Sequence, residues 1–484
     1  MLPSTGAISA NQIKSELAIT TSSLPLNHSR CYETVGKQQD TQISYNDFRI
    51  NNNFYSKASI LKGNLGNIVC SHQGHFFYGL HKFDSDHRWI KSGNIVTNGA
   101  SAGVTPSLGD MYSDGTSLFV AGNNGVITQM DGDFNIIAHL TLSGMSSTAS
   151  VKIAKAWSTG SGISGFFSYS YSSGTTTVYY YATIVYIVNN VVVYRKTFVQ
   201  SSGYWYYRNT FTVAQLGSVG GALYQIYRMG TAYSACTNAA VIKTYDLTAA
   251  TWMESVKFYL PQTVAGRTST IYGIATTDLN GALYGVVTCS YAAGSFNGVA
   301  YPLQFAHIVF KFENNQIVWQ KAISYPRQTA VSYYYYHKYA DILSFNNDSI
   351  FVALGDTAYK LGALRILSTG DVQWHKTVTH SLPYSYYYNI VTDMTHDSQT
   401  DKVSVNVGTA GHITLPADGI TSGLDVSFSI DDATTSYETM TLVAEPEYTS
   451  TAMSTTATTA TAVYIYPNTK LTVGVVPSVT RSNI

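Results

Sequence analysis

An all-β chain assembled from radial repeats is what this sequence predicts, and three observations predict it. The first is a phrase that recurs along the chain: an apolar residue, a tight polar turn, then a strand ending in an aromatic and a basic residue. It runs from Phe83 to Lys91, Tyr186 to Lys196, Phe312 to Lys321 and Ile366 to Lys376, with looser copies from Met130 to Leu140 and Tyr245 to Lys257. The second is a polar turn leading into a short hydrophobic strand, ahead of four of these copies: Ser113 to Val120, Gly220 to Tyr224, Leu279 to Val286 and Asn347 to Val352. The third is a composition of 45% hydrophobic residues with 39 Tyr and 38 Gly but only 12% charged residues, about half the ~25% of ordinary globular chains. Regular hairpins that each carry one buried aromatic mark a ring of small sheets packed on one another, a β-propeller.

Each element follows from local chemistry. Asn-Gly, Asp-Gly and Gly-Gly supply the positive φ that tight turns between antiparallel strands require. A unit is therefore an inner strand, that turn, a second strand, and an outer hairpin. The copies stand roughly fifty to seventy residues apart, slightly beyond the ~40–50 of common blades, which predicts extended loops. Six units are clear and a weaker one spans Val391 to Ile430. The expectation is seven blades, the alternative six with a separate C-terminal module. The outer-strand aromatics Trp89, Trp319 and Trp374 are expected to wedge between blades as equivalents. The copy Ser368-Thr369-Gly370-Asp371-Val372-Gln373-Trp374 resembles the docking motif of quinoprotein-like propellers, whose tryptophan packs between neighbouring blades; that resemblance implies the fold and no quinone.

Charge and cysteine content exclude several classes. With 28 basic and 28 acidic residues there is no net field to draw a phosphate backbone, so nucleic acid is not an expected partner. The most apolar stretch, Val178 to Tyr194, is β-branched and broken by Asn189-Asn190, which reads as a hairpin rather than a membrane span. Cys31, Cys70, Cys236 and Cys289 form no CxxC pair, so neither zinc nor a disulfide framework is expected and folding in a reducing cytoplasm suits them. No signal peptide is visible at Met1 to Ser9.

Residues 1–55 read as a separate arm ahead of a propeller at 56–430, with strands at 431–484 that either close the ring or form a small β module. Two copies of one pattern occur in the arm. In Ile8-Ser9-Ala10-Asn11-Gln12-Ile13 and Ile43-Ser44-Tyr45-Asn46-Asp47-Phe48, an Ile precedes a Ser and an amide or acid follows three residues on, the arrangement of a capping box with its hydrophobic staple. Two short amphipathic helices are predicted, the first with Ile13 and Leu17 on one face. Helices this short need a surface to pack on, either the propeller's own flank or a partner.

The segments Leu2 to Leu17 and Thr41 to Arg49, with Leu2-Pro3, two Ile-Ser pairs, Glu16-Leu17 and Arg49, resemble the leader of many virion proteins of tailed bacteriophages. Leu24 to Asn27 and Asn46 to Phe48 depart from the common wording. The resemblance covers about a tenth of the chain. It implies a modular virion protein of the tail, fibre, baseplate or collar, folded in the host cytoplasm and present in several copies. Its arm residues Ile8, Ser9, Gln12, Ile13, Leu17, Ile43, Ser44, Asp47 and Phe48 would meet other virion proteins.

Tyrosine runs supply the other candidate surface. Tyr204-Trp205-Tyr206-Tyr207, Tyr333 to Tyr336 and Tyr384 to Tyr388 each follow an outer-strand aromatic by about a loop's length, which places them in equivalent crossovers between blades. Side chains alternate along such runs, so half are expected in blade packing and half exposed. Tyrosine joins a flat apolar face to a hydroxyl at small entropic cost. Tyr204, Trp205, Tyr206, Tyr334, Tyr335, Tyr386 and Tyr387 are the candidate contacts for a host-surface glycan or protein.

Catalysis finds little support. His72, His75, His81, Asp84, Asp86 and His87 form the densest titratable cluster, but His72 and His75 are expected on opposite sides of a regular strand, which favours a hydrogen-bonded or solvated cluster over metal ligation. Ser113 to Thr116 resembles a sialidase turn without its following Trp. No GxSxG elbow, phosphate loop or carboxylate pair stands out. The expectation is no catalytic residue, metal or cofactor, with a propeller enzyme acting on envelope polysaccharide as the alternative.

Overall fold

A computed structural model describes the chain from Ser59 to Asn483 through its strands and most of its tight turns. Residues 1–58, with the two expected helices, and many connecting segments between the strands named below lie outside the described residues.

The described chain opens with β1 (Ser59–Lys62). Blade 1 is β2 (Val69–His72), β3 (His75–Tyr78), β4 (His81–Asp84) and β5 (Trp89–Asn94). Blade 2 is β6 (Leu108–Ser113), β7 (Leu118–Gly122), β8 (Val126–Met130) and β9 (Ile136–Leu142). Blade 3 is β10 (Ser150–Thr159), β11 (Gly162–Ser173), β12 (Val178–Val188) and β13 (Val191–Ser202). Blade 4 is β14 (Ala214–Val219), β15 (Ala222–Arg228), β16 (Ala239–Asp246) and β17 (Thr251–Tyr259). Blade 5 begins with β18 (Ser269–Leu279) and β19 (Ala282–Tyr291), continues through a ribbon of β20 (Gly294–Phe296) and β21 (Val299–Tyr301), and ends with β22 (Gln304–Glu313) and β23 (Gln316–Ser324). Blade 6 is β24 (Ala340–Phe345), β25 (Ser349–Gly355), β26 (Lys360–Leu367) and β27 (Val372–Thr379). Blade 7 is β28 (Val391–Asp397), β29 (Lys402–Val407) and β30 (Gly411–Pro416), with β1 as its fourth strand.

Every sheet is antiparallel, and the inner strands β2, β6, β10, β14, β18, β24 and β28 touch in that order before β28 returns to β2. The ring closes through β1, which pairs Ser59 with Thr414 and Lys62 with Gly411. The apolar clusters lie between blades. One joins Phe351, Ala363 and Val378 of blade 6 to Val403, Val405 and Ile413 of blade 7, and another joins Phe119 and Ile127 of blade 2 to Val151 and Phe167 of blade 3. Packing faces, rather than a single central core, hold the ring.

Local chemistry explains the turns. Gln73-Gly74, Asn189-Asn190 and Asn280-Gly281 all have positive φ at both positions, as the favoured two-residue hairpin turn demands. Val178 to Tyr194 is such a hairpin. The six hairpins expected from the recurring phrase are the third-to-fourth strand pairs of blades 1 to 6, and each carries a β-bulge beside its turn.

That bulge corrects one expectation. Trp319 pairs with Lys311 and Trp374 with Arg365, on the far side of the bulge from the turn, whereas Trp89 pairs with Phe83 on the near side. Trp89 therefore corresponds to Ile317 and Val372, not to the other two tryptophans. Trp319 does reach the next blade: its Nε1 donates to Ser368 O at 3.1 Å, and its ring lies under Gly370 of the blade 6 turn. Trp374 meets Phe351 edge-on with ring centres 5.6 Å apart and packs on the blade 6–7 cluster, yet it is only partly buried. The expected cost of Trp374→Ala is therefore about 2 kcal/mol, below the ~3–5 of a fully buried aromatic. Urea unfolding of the variant checks this, and a cost under about 1 kcal/mol would remove the wedge role.

After Ala417 the chain runs back around the outside. The strands β31 (Ser429–Asp431), β32 (Val443–Pro446), β33 (Ser454–Thr456), β34 (Val463–Ile465), β35 (Thr472–Val473) and β36 (Thr480–Asn483) are each added to a different sheet. They pair in turn with β23, β17, β13, β9, β5 and β1, the outer strands of blades 5, 4, 3, 2, 1 and 7.

Candidate functional site

Antiparallel connectivity divides the ring into two ends. Turns from first to second and from third to fourth strands lie at one end; second-to-third loops and the crossovers between blades lie at the other. The connecting segments differ in their acidic residues. The crossover segments 95–107, 143–149, 203–213, 260–268, 325–339 and 380–390 contain no Asp or Glu. At the opposite end, Asp84, Asp114, Asp131, Asp348, Asp371, Asp397 and Asp401 stand at or beside the tight turns.

The contact candidates Tyr204, Trp205 and Tyr206 fall between β13 and β14, Tyr334 and Tyr335 between β23 and β24, and Tyr386 and Tyr387 between β27 and β28. The described strands on either side of each group, β13 and β14, β23 and β24, and β27 and β28, end and begin at the crossover end. The residues themselves lie outside the described residues, as do Ile8, Ser9, Gln12, Ile13, Leu17, Ile43, Ser44, Asp47 and Phe48 of the arm.

At the turn end most acids close turns. Asp114 Oδ1 accepts the amides of Thr116 at 2.8 Å and Ser117 at 2.6 Å, and its Oδ2 accepts Ser158 N of blade 3 at 3.0 Å. Asp133 accepts Lys82 Nζ of blade 1 at 3.0 Å, and this bond holds its carboxyl below the usual carboxylate range. Asp278 of blade 5 lies within electrostatic reach of both Tyr112 of blade 2 and Lys155 of blade 3. Burial, with Asp278 adding to it, pushes the Tyr112 hydroxyl up to about 12, and desolvation raises the Asp278 carboxyl against the pull of Lys155.

The histidine cluster disperses. Gln73-Gly74 is a hairpin turn, so His72 and His75 are cross-strand partners on one face, contrary to the opposite-sided placement expected for a continuous strand. Their bonds still diverge: His72 Nδ1 meets Ser113 Oγ of blade 2 at 2.8 Å, and His75 Nδ1 meets Gln73 O at 2.8 Å. His81 bonds Ser92 at 2.7 Å, and His87 Nε2 lies 2.5 Å from Tyr78 Oη and 2.6 Å from Thr414 Oγ1. Among the described residues no group of three His, Cys, Asp or Glu could hold a metal ion.

Sequence reading missed the carboxylates that tie inner strands together. Asp110 Oδ2 accepts Ile153 N at 2.8 Å and Asp393 Oδ2 accepts Val69 N at 3.2 Å, each across a blade boundary, while the Oδ1 of each takes the next amide in its own strand. The signal was present as a small or β-branched residue, Asp and an apolar residue at the inner strands: Gly109-Asp110-Met111, Ala340-Asp341-Ile342 and Thr392-Asp393-Met394.

What the ring of sheets defines is a class, the β-propeller. No protein-family model matches the chain, and no characterised protein matches it by sequence. Solved structures are similar in fold. The GH93 alpha-L-arabinofuranosidase of Fusarium graminearum with arabinobiose is 11% identical, with 63% of this chain and 90% of that one covered at a TM-score of 0.40. The Dos1 propeller is 9% identical over 75% and 95%, with a TM-score of 0.35. BamB from Moraxella catarrhalis is 10% identical over 72% and 82%, with a TM-score of 0.30. Likenesses of this size carry nothing about chemistry.

Proposed function

We propose that this protein is a structural component of a tailed-bacteriophage virion, in its tail, fibre, baseplate or collar, joined to the particle by residues 1–55 and presenting the crossover end of its propeller to a neighbouring virion protein or to a host-surface glycan or protein. The observation that supports the reading is that three aromatic runs fall between an outer strand and the next blade's inner strand, in connecting segments that contain no Asp or Glu. Such a surface binds through ring faces and hydroxyl hydrogen bonds, which salt screens little. The leader's resemblance supports the attachment.

Two sets of variants test the reading. Deletion of residues 1–50 is expected to leave a folded propeller that no longer joins the particle. Trp205→Ala, Tyr335→Ala and Tyr387→Ala are expected to keep the melting temperature while at least one weakens binding to host cells or to a neighbouring virion protein tenfold or more, about 1.4 kcal/mol. Normal incorporation of the truncated protein, or stability losses with binding intact in all three variants, would overturn it. A second reading, a propeller enzyme acting on envelope polysaccharide, draws on the raised Asp278 carboxyl of blade 5. Release of reducing sugar that disappears in Asp278→Asn would favour it.

A further inference from the structure

The C-terminal strands have a use beyond filling sheet edges. We propose that residues 429–483 form a strap that locks the ring-closing strand, with β36 as its final fastening. β1 is four residues long and closes the ring against β30 alone on its inner side. On its outer side it is covered by β36, which pairs Thr480 with Lys62 and Asn483 with Ser59. Without β36, β1 is an edge strand that peels by losing one short ladder. With β36, β1 must either break this second ladder as well or carry away β36, whose chain is fastened just before it to blade 1 through β35.

The order of pairing makes this a strap rather than a sheet of its own. Its strands reach blades 5, 4, 3, 2 and 1 in succession before ending on blade 7, against the direction in which the blades were laid down. Among the described residues none of its strands pairs with another strand of the strap. Each therefore depends on a blade edge that must already exist, so the strap docks after the ring and is the first part to leave. Its composition suits the role: no charged residue occurs between Tyr448 and Tyr466, a stretch rich in Thr, which favours extended chain without providing a core of its own.

The fastening also lies where the leader departs, since Asn483 is the partner of Ser59 and residues 1–58 precede Ser59 directly. Tension on the leader would then load a strand held on both sides. This last consequence rests on the attachment role proposed above, whereas the lock rests on strand pairing alone.

Amide hydrogen exchange read by mass spectrometry separates the two. In a chain lacking residues 480–484, peptides covering Ile60 to Lys62 should exchange at least tenfold faster than in the full chain, with β11 unchanged, and a peptide of residues 476–484 added in trans should restore protection. Should the truncated chain loosen throughout, Arg481→Pro and Ser482→Pro in the full chain decide. Neighbouring amides of a strand point to opposite edges, so one of the two variants should release β1 and the other should not. Unchanged protection of Ile60 to Lys62 in the truncated chain, or in both proline variants, overturns the lock. Loss of particle incorporation is scored separately on the leader deletion, so failure of the attachment reading leaves the lock standing or falling on its own.

Discussion

Gly411→Ala is expected to cost about 3 kcal/mol or more by forcing the ring-closing strand off its partner. Gly411 has a φ of +147° and pairs with Lys62, and a Cβ there would lie 2.1 Å from Leu61 O and 2.9 Å from Leu382 Cδ2. The obstacle is backbone already committed to the β1 ladder, so relief requires moving the strand itself. Overpacking of this kind costs ~1–3 kcal/mol where side chains can yield, and more where they cannot. Gly115→Ala supplies the control: its φ is +87°, but nothing lies within 4 Å of the added carbon, so it should show only the backbone penalty of about 1 kcal/mol. Denaturant midpoints of the two variants measure the difference, and equal losses would mean that the closing strand gives way freely.

Acid should weaken the same seam through His412. The residue sits on β30, fully buried, with neither ring nitrogen hydrogen-bonded among the described residues, and its ring stacks on Tyr78 of blade 1 at 3.8 Å. Tyr78 in turn bonds His87 and Ser404, while Leu61 of β1 and Asn406 of β29 are the strand partners of His412. Burial lowers its pKa from 6.5 to about 3. The folded protein thus keeps His412 neutral where the unfolded chain takes up a proton. Its contribution is complete above pH 6.5 and is lost as the pH falls toward 3, at about 1.4 kcal/mol per unit. At pH 5 the loss should reach about 2 kcal/mol. His72 and His81 are lowered by burial too, so the test is a difference: His412→Phe keeps the stacked ring and should flatten the stability profile between pH 6.5 and 5 by that amount. Parallel profiles for the two proteins would rule the residue out as the acid-sensitive group.

Much of the blade was legible because its determinants are local. Asn189-Asn190 and Asn280-Gly281 carry their own turn geometry, and the hairpins around Phe83, Phe312 and Ile366 announce themselves by spacing and alternation. What depends on register was not legible. The single bulge residue that sets Trp89 apart from Trp319 and Trp374 leaves the three tryptophans alike in sequence and unlike in space. His72 and His75 were separated by treating two strands as one, although Gln73-Gly74 is a possible hairpin turn. Of the candidate contacts, the sequence suggests that the three tyrosine runs are equivalent, and the strand order adds that each falls between an outer strand and the next blade's inner strand.

The sequence alone determined that the chain is a succession of four-strand meanders, since turn residues and period-two burial act over a few neighbouring residues. Tertiary structure alone decided that Ser59–Lys62 closes the ring against Gly411–Thr414 and that the last residues then cover it. A strand of two to four residues holds no pattern of its own. It is ordered by the open ladder it meets, and which ladder remains open is settled only when every blade has been placed.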